Sequence, residues 1–345
     1  MLHSRSLRFW CRSTLAVIFV VLSGTPVWSQ QVEVGSAVAS ELSWTFVPLS
    51  GSIAQPVVVP SLPTTGAAAD AVLAIRNVSS SGFQIRLIKP NGSSPGAATQ
   101  TAGWLAVGVG THQIGDVTIA AGLLPGVQSL IDSDPANFAS VTLPAGFDSA
   151  PAVLGAIQTP TIIPDEFLVV RARQVTLSGF EIGYQRQESL ETLAYGPETL
   201  GWIAWETGTG TVEDWIATAA RTPDDVTSSP STYVLGGLDP ATTLTEGSVF
   251  GMLNTFGGVD PAWVGGAPPV GTSVDLFVDE EVSADPETSH GNETVALVAF
   301  APAPPPAVPL LAPGALGLLA ISLMATGVGA RRALPAAAEN AADSV

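Results

Sequence analysis

Several short stretches of this chain alternate apolar with polar residues. Leu73–Val78, Phe83–Ile88 and Phe180–Gln185 show this pattern, which is typical of half-buried β-strands. A segment rich in proline, glycine and serine, residues 90–96, follows the second stretch and predicts a turn. No long stretch before the C-terminal tail has the helical period. The pattern therefore predicts short antiparallel strands and an all-β fold.

Four landmarks recur in the same order in two parts of the chain: a Pro-x-Val strand, an Arg-x-Val-Ser/Thr strand, a Gly-Phe pair, and a closing Trp-x-Ala strand. Their spacings agree to within about two residues, which is improbable by chance. The landmarks begin at Pro56, Arg76, Gly82 and Trp104 in the first copy and at Pro151, Arg173, Gly179 and Trp202 in the second.

A third and more divergent copy follows. Val249–Phe256 matches the strand that ends at Gln158-Thr159, and Glu293–Phe300 matches Glu198–Trp205 about 95 residues earlier. The Gly-Phe pair is replaced by Val274–Val278. A period this long indicates tandem domains because solenoid repeats are shorter. We therefore expect antiparallel β-sandwich repeats over residues 30–122, 123–222 and, in degenerate form, 223–300.

At these landmarks the copies resemble the H-type lectin repeat, a six-stranded antiparallel sandwich. The resemblance covers residues 43–110 and 140–208 and part of the third copy. It implies binding of N-acetylgalactosamine-type sugars, often by trimers, through residues on terminal strands and loops. By position, Trp104 and Trp202 match the closing-strand tryptophan and are the candidate carbohydrate-binding residues. Packing in the core is the alternative role for both, because they lie in apolar strands.

The N-terminus has the pattern of a secretory signal peptide over residues 1–29. Three arginines precede the short apolar segment Leu15–Leu22, and small residues precede a cleavage site between Ser29 and Gln30. The alternative is an uncleaved anchor, for which the apolar segment is short. We expect the mature chain to begin at Gln30.

The C-terminus predicts one transmembrane helix, residues 310–332. Val308–Ala330 carries no charge and is long enough to cross a hydrocarbon core of ~30 Å. Arg331 and Arg332 follow directly and place that end in the cytoplasm. A proline-rich spacer, residues 301–309, precedes the helix, and residues 333–345 form a short cytoplasmic tail.

This ending is similar to the C-terminal sorting signals of bacterial surface proteins, the PEP-CTERM-like class. Val308-Pro309-Leu310 stands in the place of the short motif, and Arg331-Arg332 in the place of the basic cluster. The resemblance implies that a sorting enzyme cuts near the motif. The alternative is that the helix remains as a membrane anchor.

Charge and cysteine content narrow the possible partners and compartments. The chain has 30 Asp+Glu against 12 Lys+Arg, an acidic balance that excludes nucleic acid as a partner. The single cysteine, Cys11, lies in the predicted signal segment, so the mature chain has no disulfide and no thiolate site. An exported protein without disulfides suits a bacterial surface.

The densest polar cluster lies between Asp275 and Glu293. Asp279, Glu280, Glu281 and Asp285 are candidate Ca²⁺ ligands, because calcium takes six to eight oxygen ligands. The spacing is not that of an EF-hand or of a glycine-aspartate β-roll. The alternative is a solvated edge strand and loop whose charges prevent aggregation. No other cofactor is predicted.

No Gly-x-Ser-x-Gly, P-loop or His-Glu-x-x-His motif is present, so no enzyme is predicted. We expect an exported bacterial surface protein, membrane-anchored or sorted, that contacts glycans or neighbouring envelope proteins and can form a homo-oligomer. One alternative is a purely structural envelope or extracellular-matrix component that binds no sugar. Another is a hydrolase acting on polysaccharide.

Overall fold

The computed structural model describes residues 31–303, except 52, 65–70, 91–95, 132–133, 160–165, 213, 285 and 287. This part of the chain is built from antiparallel sheets with two short 3₁₀ turns, Pro135–Asn137 and Glu188–Leu190, so the all-β prediction is confirmed. Within it, no helix is long and apolar enough to cross a membrane. The predicted signal segment with Ser29 and Gln30, and the predicted C-terminal helix with Arg331 and Arg332, lie outside the described residues.

One arrangement of six strands occurs three times. In each set the first, sixth and third strands form one sheet, and the second, fifth and fourth strands form another. Set 1 comprises β1 (Val32–Ser40), β2 (Thr45–Pro48), β3 (Pro56–Pro60), β4 (Val72–Ser79), β5 (Gly82–Ile88) and β6 (Thr99–Gly108).

Sets 2 and 3 repeat this order, and each is preceded by one additional hairpin strand. Set 2 comprises β8 (Val117–Val127), β9 (Ala139–Thr142), β10 (Ala152–Ile157), β11 (Leu168–Thr176), β12 (Gly179–Arg186) and β13 (Glu198–Trp205). Set 3 comprises β15 (Trp215–Arg221), β16 (Ser231–Val234), β17 (Val249–Leu253), β18 (Ala262–Gly266), β19 (Ser273–Glu280) and β20 (Val295–Pro302). The additional strands are β7 (Gly110–Ile114), which pairs with β8, and β14 (Gly208–Val212), which pairs with β15.

The closing strand of each set is apolar on both faces because both faces are buried. In set 1, Trp104 and Ala106 of β6 point into a core shared with Phe83 of the facing sheet. The alternate residues Leu105 and Val107 point the other way, into a core that all three sets share. Burial on both faces accounts for the nearly continuous apolar sequence of this strand.

The shared central core contains aromatic contacts that join sets 2 and 3, while set 1 contributes aliphatic side chains such as Leu105 and Val107. Trp205 of set 2 packs edge-to-face on Phe300 of set 3, with ring centroids 5.5 Å apart. Phe300 in turn packs on Phe250, with centroids 5.9 Å apart. Such pairs contribute about 0.5–1.5 kcal/mol each beyond the area they bury. The sets are thus held together by a core as well as by the chain.

Hydrogen bonds between neighbouring sets close a ring. Val58, Val153 and Val249 occupy the same register position in β3, β10 and β17, each opposite an alanine of the closing strand. The Gln158 side chain of set 2 accepts from the Val58 N–H at 2.9 Å and donates to the Val58 carbonyl at 2.8 Å. Asn254 of set 3 binds Val153 of set 2 in the same way, at 3.1 and 2.9 Å.

The third junction returns from set 1 to set 3. There the Leu62 N–H donates to the carbonyl of Val249 at 2.9 Å, without a side-chain amide. Set 2 therefore contacts set 1, set 3 contacts set 2, and set 1 contacts set 3. The described part of the chain therefore forms a ring of three sets that share one strand order.

Candidate functional site

Both tryptophans predicted to bind carbohydrate pack inside their own sets. Trp104 is buried and contacts Phe83 edge-to-face with centroids 5.6 Å apart, and Trp202 packs on Phe180 at 5.5 Å. A Cβ placed on Gly35 would lie 2.4 Å from Cζ2 of Trp104. The indole therefore rests directly on the backbone of β1, an arrangement that favours the packing role over a sugar platform.

A concave pocket lies instead on the axis of the ring. Pro60, Gly155 and Gly251, which hold the same register position in β3, β10 and β17, all line it. Its volume is about 110 Å³. All three sets build this pocket, so a single set would not form it.

Two tryptophans that the sequence analysis did not select form part of the pocket wall. Trp44 lies before β2, and Trp263 lies on β18. Trp263 packs edge-to-face on the buried Phe167, with centroids 5.3 Å apart. The guanidinium of Arg76 lies 4.1 Å from the ring centroid of Trp44 and fixes the orientation of that indole. Neither tryptophan belongs to a repeated landmark, which is why the repeat comparison missed them.

The pocket also contains a carboxylate and a hydroxyl, each with a fixed orientation. Glu166 accepts hydrogen bonds from Arg186 Nε at 3.1 Å and Nη2 at 2.9 Å. The hydroxyl of Ser61 accepts from the Gly103 N–H at 3.0 Å. Oriented polar groups in an apolar, aromatic wall are the usual composition of a small-molecule site.

A second polar site is buried between sets 2 and 3. It uses members of the predicted acidic cluster: Glu280, Glu281, His290 and Glu293 are all buried. The interpretation as a solvated edge strand and loop is therefore wrong for these residues. Their positions are explained by partners that lie far away in the sequence.

The centre of this buried site is an ion pair between Arg171 of β11 and Glu293, just before β20. His290 connects the pair to a second carboxylate, with Nε2 2.9 Å from Glu293 Oε1 and Nδ1 2.9 Å from Glu280 Oε1. A neutral imidazole has one N–H and can donate to only one of them. Whichever ring nitrogen carries a proton, His290 bridges the two carboxylates.

Burial and pairing act in opposite directions on this site. Burial raises the pKa of Glu293, but the hydrogen bond from His290, the charge of Arg171 and the bonds from Thr255 and Gly257 outweigh it and hold that pKa below its usual value. Burial lowers the pKa of Arg171 to about 10, so its guanidinium stays charged at neutral pH. The carboxylate and guanidinium are both ionised in the folded protein.

The candidate calcium ligands do not converge in the described part of the chain. Asp279 and Glu280 are successive residues of β19, so their side chains point to opposite faces. Glu281 accepts from the Glu188 N–H at 2.6 Å and from the Ser283 hydroxyl at 2.8 Å. Asp285 lies outside the described residues, and among those described no three or more His, Cys, Asp or Glu side chains are arranged so that they could hold a metal ion.

No family model matches the chain, and no curated protein or solved structure matches it significantly.

Proposed function

We propose that this chain is an exported, non-catalytic bacterial surface protein that contacts glycans through the axial pocket. The observation that carries the proposal is the pocket wall, in which Trp44 and Trp263 stand beside a carboxylate and a hydroxyl of fixed orientation. Aromatic rings pack on the apolar faces of sugar rings, while the polar groups bind hydroxyls. The volume of about 110 Å³ lies below the roughly 300–1,000 Å³ of most small-molecule pockets, so the pocket would take no more than part of one terminal sugar.

The proposal assigns a tandem, lectin-like β-sandwich architecture to the three sets. It is supported by the six-strand order that recurs in each set and by the ring that the sets form. The predicted signal peptide, proline-rich spacer and C-terminal helix would place this ring at the cell envelope, either anchored or released after sorting.

A purely structural role is the second candidate. The amide contacts of Gln158 and Asn254 and the buried ion pair of Arg171 with Glu293 favour it, because they join neighbouring sets and bind no outside ligand. In this case the pocket would be only the space left where three sets meet. The two candidates differ in whether any sugar occupies the axis.

Saturation-transfer NMR and a glycan array on the full chain in detergent distinguish them. We expect Trp44→Ala to weaken binding of a retained sugar at least about tenfold, the loss of roughly 1.4 kcal/mol or more. Trp215→Ala is the matched control, because Trp215 is also half-buried but does not line the axial pocket. No retained sugar, or equal loss in both variants, would contradict the glycan proposal and leave the structural role.

Calcium binding by Asp279, Glu280, Glu281 and Asp285 stays a prediction. The hydrogen bonds of Glu280 and Glu281 count against a site that includes both. Melting curves with added calcium and with chelator test it, and an unchanged midpoint would contradict it.

A further inference from the structure

Among the described strands, none pairs with the outer edge of β1, at a place where the other two sets have an additional strand. β1 is the outer strand of its sheet, and no described strand pairs with its second edge. The equivalent strands β8 and β15 are covered by β7 and β14. Each covering strand comes from the hairpin that follows the closing strand of the preceding set.

Register shows which residues are left uncovered. β7 begins opposite Ala121 of β8, and β14 begins opposite Ala219 of β15. Both alanines hold the position that Val34 holds in β1, because each lies opposite the equivalent residue of its closing strand. Ala121 faces Ile203, Ala219 faces Val298, and Val34 faces Leu105. A covering strand on set 1 would therefore start opposite Val34.

The chain's own continuation is unsuited to this position. After β20, the residues that correspond to the start of β7 and β14 are Ala303 and then Pro304-Pro305-Pro306. Proline has no N–H and cannot donate to a strand ladder. The hairpin strands that follow sets 1 and 2 instead begin at Gly110 and Gly208, which have positive φ, and continue with threonine.

β1 also lacks the features that usually protect an edge strand. It is nine residues long and contains neither proline nor lysine, whereas the outer edge strands β2, β9 and β16 have only four residues each. Its one charged side chain, Glu33, accepts hydrogen bonds from Ser50 at 2.8–3.2 Å. Val38 is 58% exposed.

A cavity of about 190 Å³ lies beside this strand. Val34 and Ser36 of β1 line one side of it, and Trp215 and Phe250 of set 3 line the other. The stretch of β1 for which the described residues provide no partner strand thus also borders an unfilled space on the side of set 3. Both features point to a surface that another strand completes.

We propose that β1 pairs antiparallel with β1 of a second copy, around a twofold axis at Ser36. This register places Val34 opposite Val38 of the second copy and Gly35 opposite Ala37. Glu33 faces Ala39, so no like charges oppose each other across the pair. The two three-stranded sheets join into one six-stranded sheet, and the contact is isologous, as twofold symmetry requires.

The net charge of −18 opposes this association over long range. Salt screens that repulsion, so the dimer should become tighter as ionic strength rises.

Disulfide cross-linking of the full chain in detergent tests the register, in a Cys11→Ser background that contains no other cysteine. Ser36→Cys places two thiols opposite each other, within the Cα separation that a disulfide spans. We expect this variant to form a covalent dimer on mild oxidation. Leu177→Cys is the control, because Leu177 is 57% exposed at the turn between β11 and β12, away from β1. No dimer, or equal dimer from both variants, overturns the proposal.

A strand graft tests whether the free edge causes the association. Replacing residues 303–307 with the sequence of β7 (A303G/P304T/P305H/P306Q/A307I) supplies the missing hairpin strand from the same chain. We expect light scattering to show a dimer for the natural chain and a monomer for the graft. The control A303G/A307I retains all three prolines and should stay dimeric. A dimer that persists in the graft, or a natural chain that is monomeric and gains β1 protection only when a Gly-Thr-His-Gln-Ile peptide is added, overturns pairing with a second copy.

Discussion

The buried ion pair between sets 2 and 3 makes Glu293→Gln the most informative single substitution. Glu293 accepts from Arg171 Nη2, from Thr255 Oγ1, from His290 Nε2 at 2.9 Å and from the Gly257 N–H at 2.7 Å. Glutamine has the same shape but carries no charge, and its amide nitrogen would face one of these donors. The variant therefore changes electrostatics while leaving packing almost unaltered.

The structure sets the expected size of the effect. Arg171 and Glu293 have fully buried side chains, so removing the carboxylate leaves an uncompensated charge in the interior. Breaking a buried pair in this way costs about 3–5 kcal/mol of unfolding free energy. The carbonyls of Gly258 and Asp260, 3.1 and 3.2 Å from Arg171 Nη1, offset part of this but carry no full charge.

A matched control lies two residues further along the same strand. Arg173 and Glu181 form an ion pair at 2.6 Å whose side chains are 19% and 25% exposed. Because water screens this pair, Glu181→Gln should cost at most about 1 kcal/mol. Urea unfolding of both variants, followed by tryptophan fluorescence, gives the two midpoints and slopes.

The comparison can refute the reasoning directly. If Glu293→Gln lowers the midpoint no more than Glu181→Gln, the buried pair does not stabilise the junction between sets 2 and 3. If instead the slope of the unfolding free energy against urea changes, set 3 no longer unfolds cooperatively with sets 1 and 2. The midpoint alone then does not measure the contribution of the ion pair to stability.

Three further results are expected. Because interactions in the fold hold the pKa of Glu293 below its usual value, the ionised carboxylate stabilises the fold above the unfolded pKa of about 4.3, and this contribution is lost as pH falls through the lower folded pKa. Urea midpoints measured against pH should therefore decline over this range, and Glu293→Gln should flatten the decline. Gln158→Ala leaves the buried N–H and carbonyl of Val58 unpaired and should cost about 2–4 kcal/mol, with faster hydrogen exchange at Val58; unchanged exchange there would argue against the contact. Gly35→Val drives a side chain into Trp104 and should destabilise the chain by about 1–3 kcal/mol in melting experiments, whereas an unchanged melting curve would mean that the indole is free to move.

The all-β fold could be predicted from the sequence because strand alternation is a local signal. β5 alternates buried apolar residues with half-buried ones from Phe83 to Leu87, and β12 does so from Gly179 to Ile182 before it becomes buried on both faces. The closing strands alternate less clearly between apolar and polar residues because both of their faces are buried, and one of these faces is covered by the neighbouring sets. The ring itself was not predicted: Gln158 and Val58 are far apart in the sequence, and no local pattern indicates that they meet.

The acidic cluster shows the same limit at a site. Its carboxylates are close in sequence, which predicted either a calcium site or a solvated loop. Of the buried members, Glu293 is instead neutralised by Arg171, which lies on a strand of another set. Glu280 contacts His290, and Glu281 accepts from the Glu188 N–H. A cluster of acidic residues in the sequence therefore does not indicate whether the carboxylates are solvated, bind a metal ion or pair with a cation from a distant part of the chain. Only the partner decides this, and the partner is set by tertiary packing.

The divergence of the third copy has a physical explanation in the pairing of closing and first strands. Trp104 lies opposite Gly35 and Trp202 lies opposite Gly122, so each indole has the space that a missing side chain leaves. In set 3 the corresponding pair is Leu297 opposite Ala220: a smaller side chain faces a larger neighbour. The landmark tryptophan is thus one half of a size-matched pair, and its loss in the third copy is compensated on the neighbouring strand. This exchange is what a packing role requires, whereas a sugar platform would gain nothing from a change on the strand beneath it.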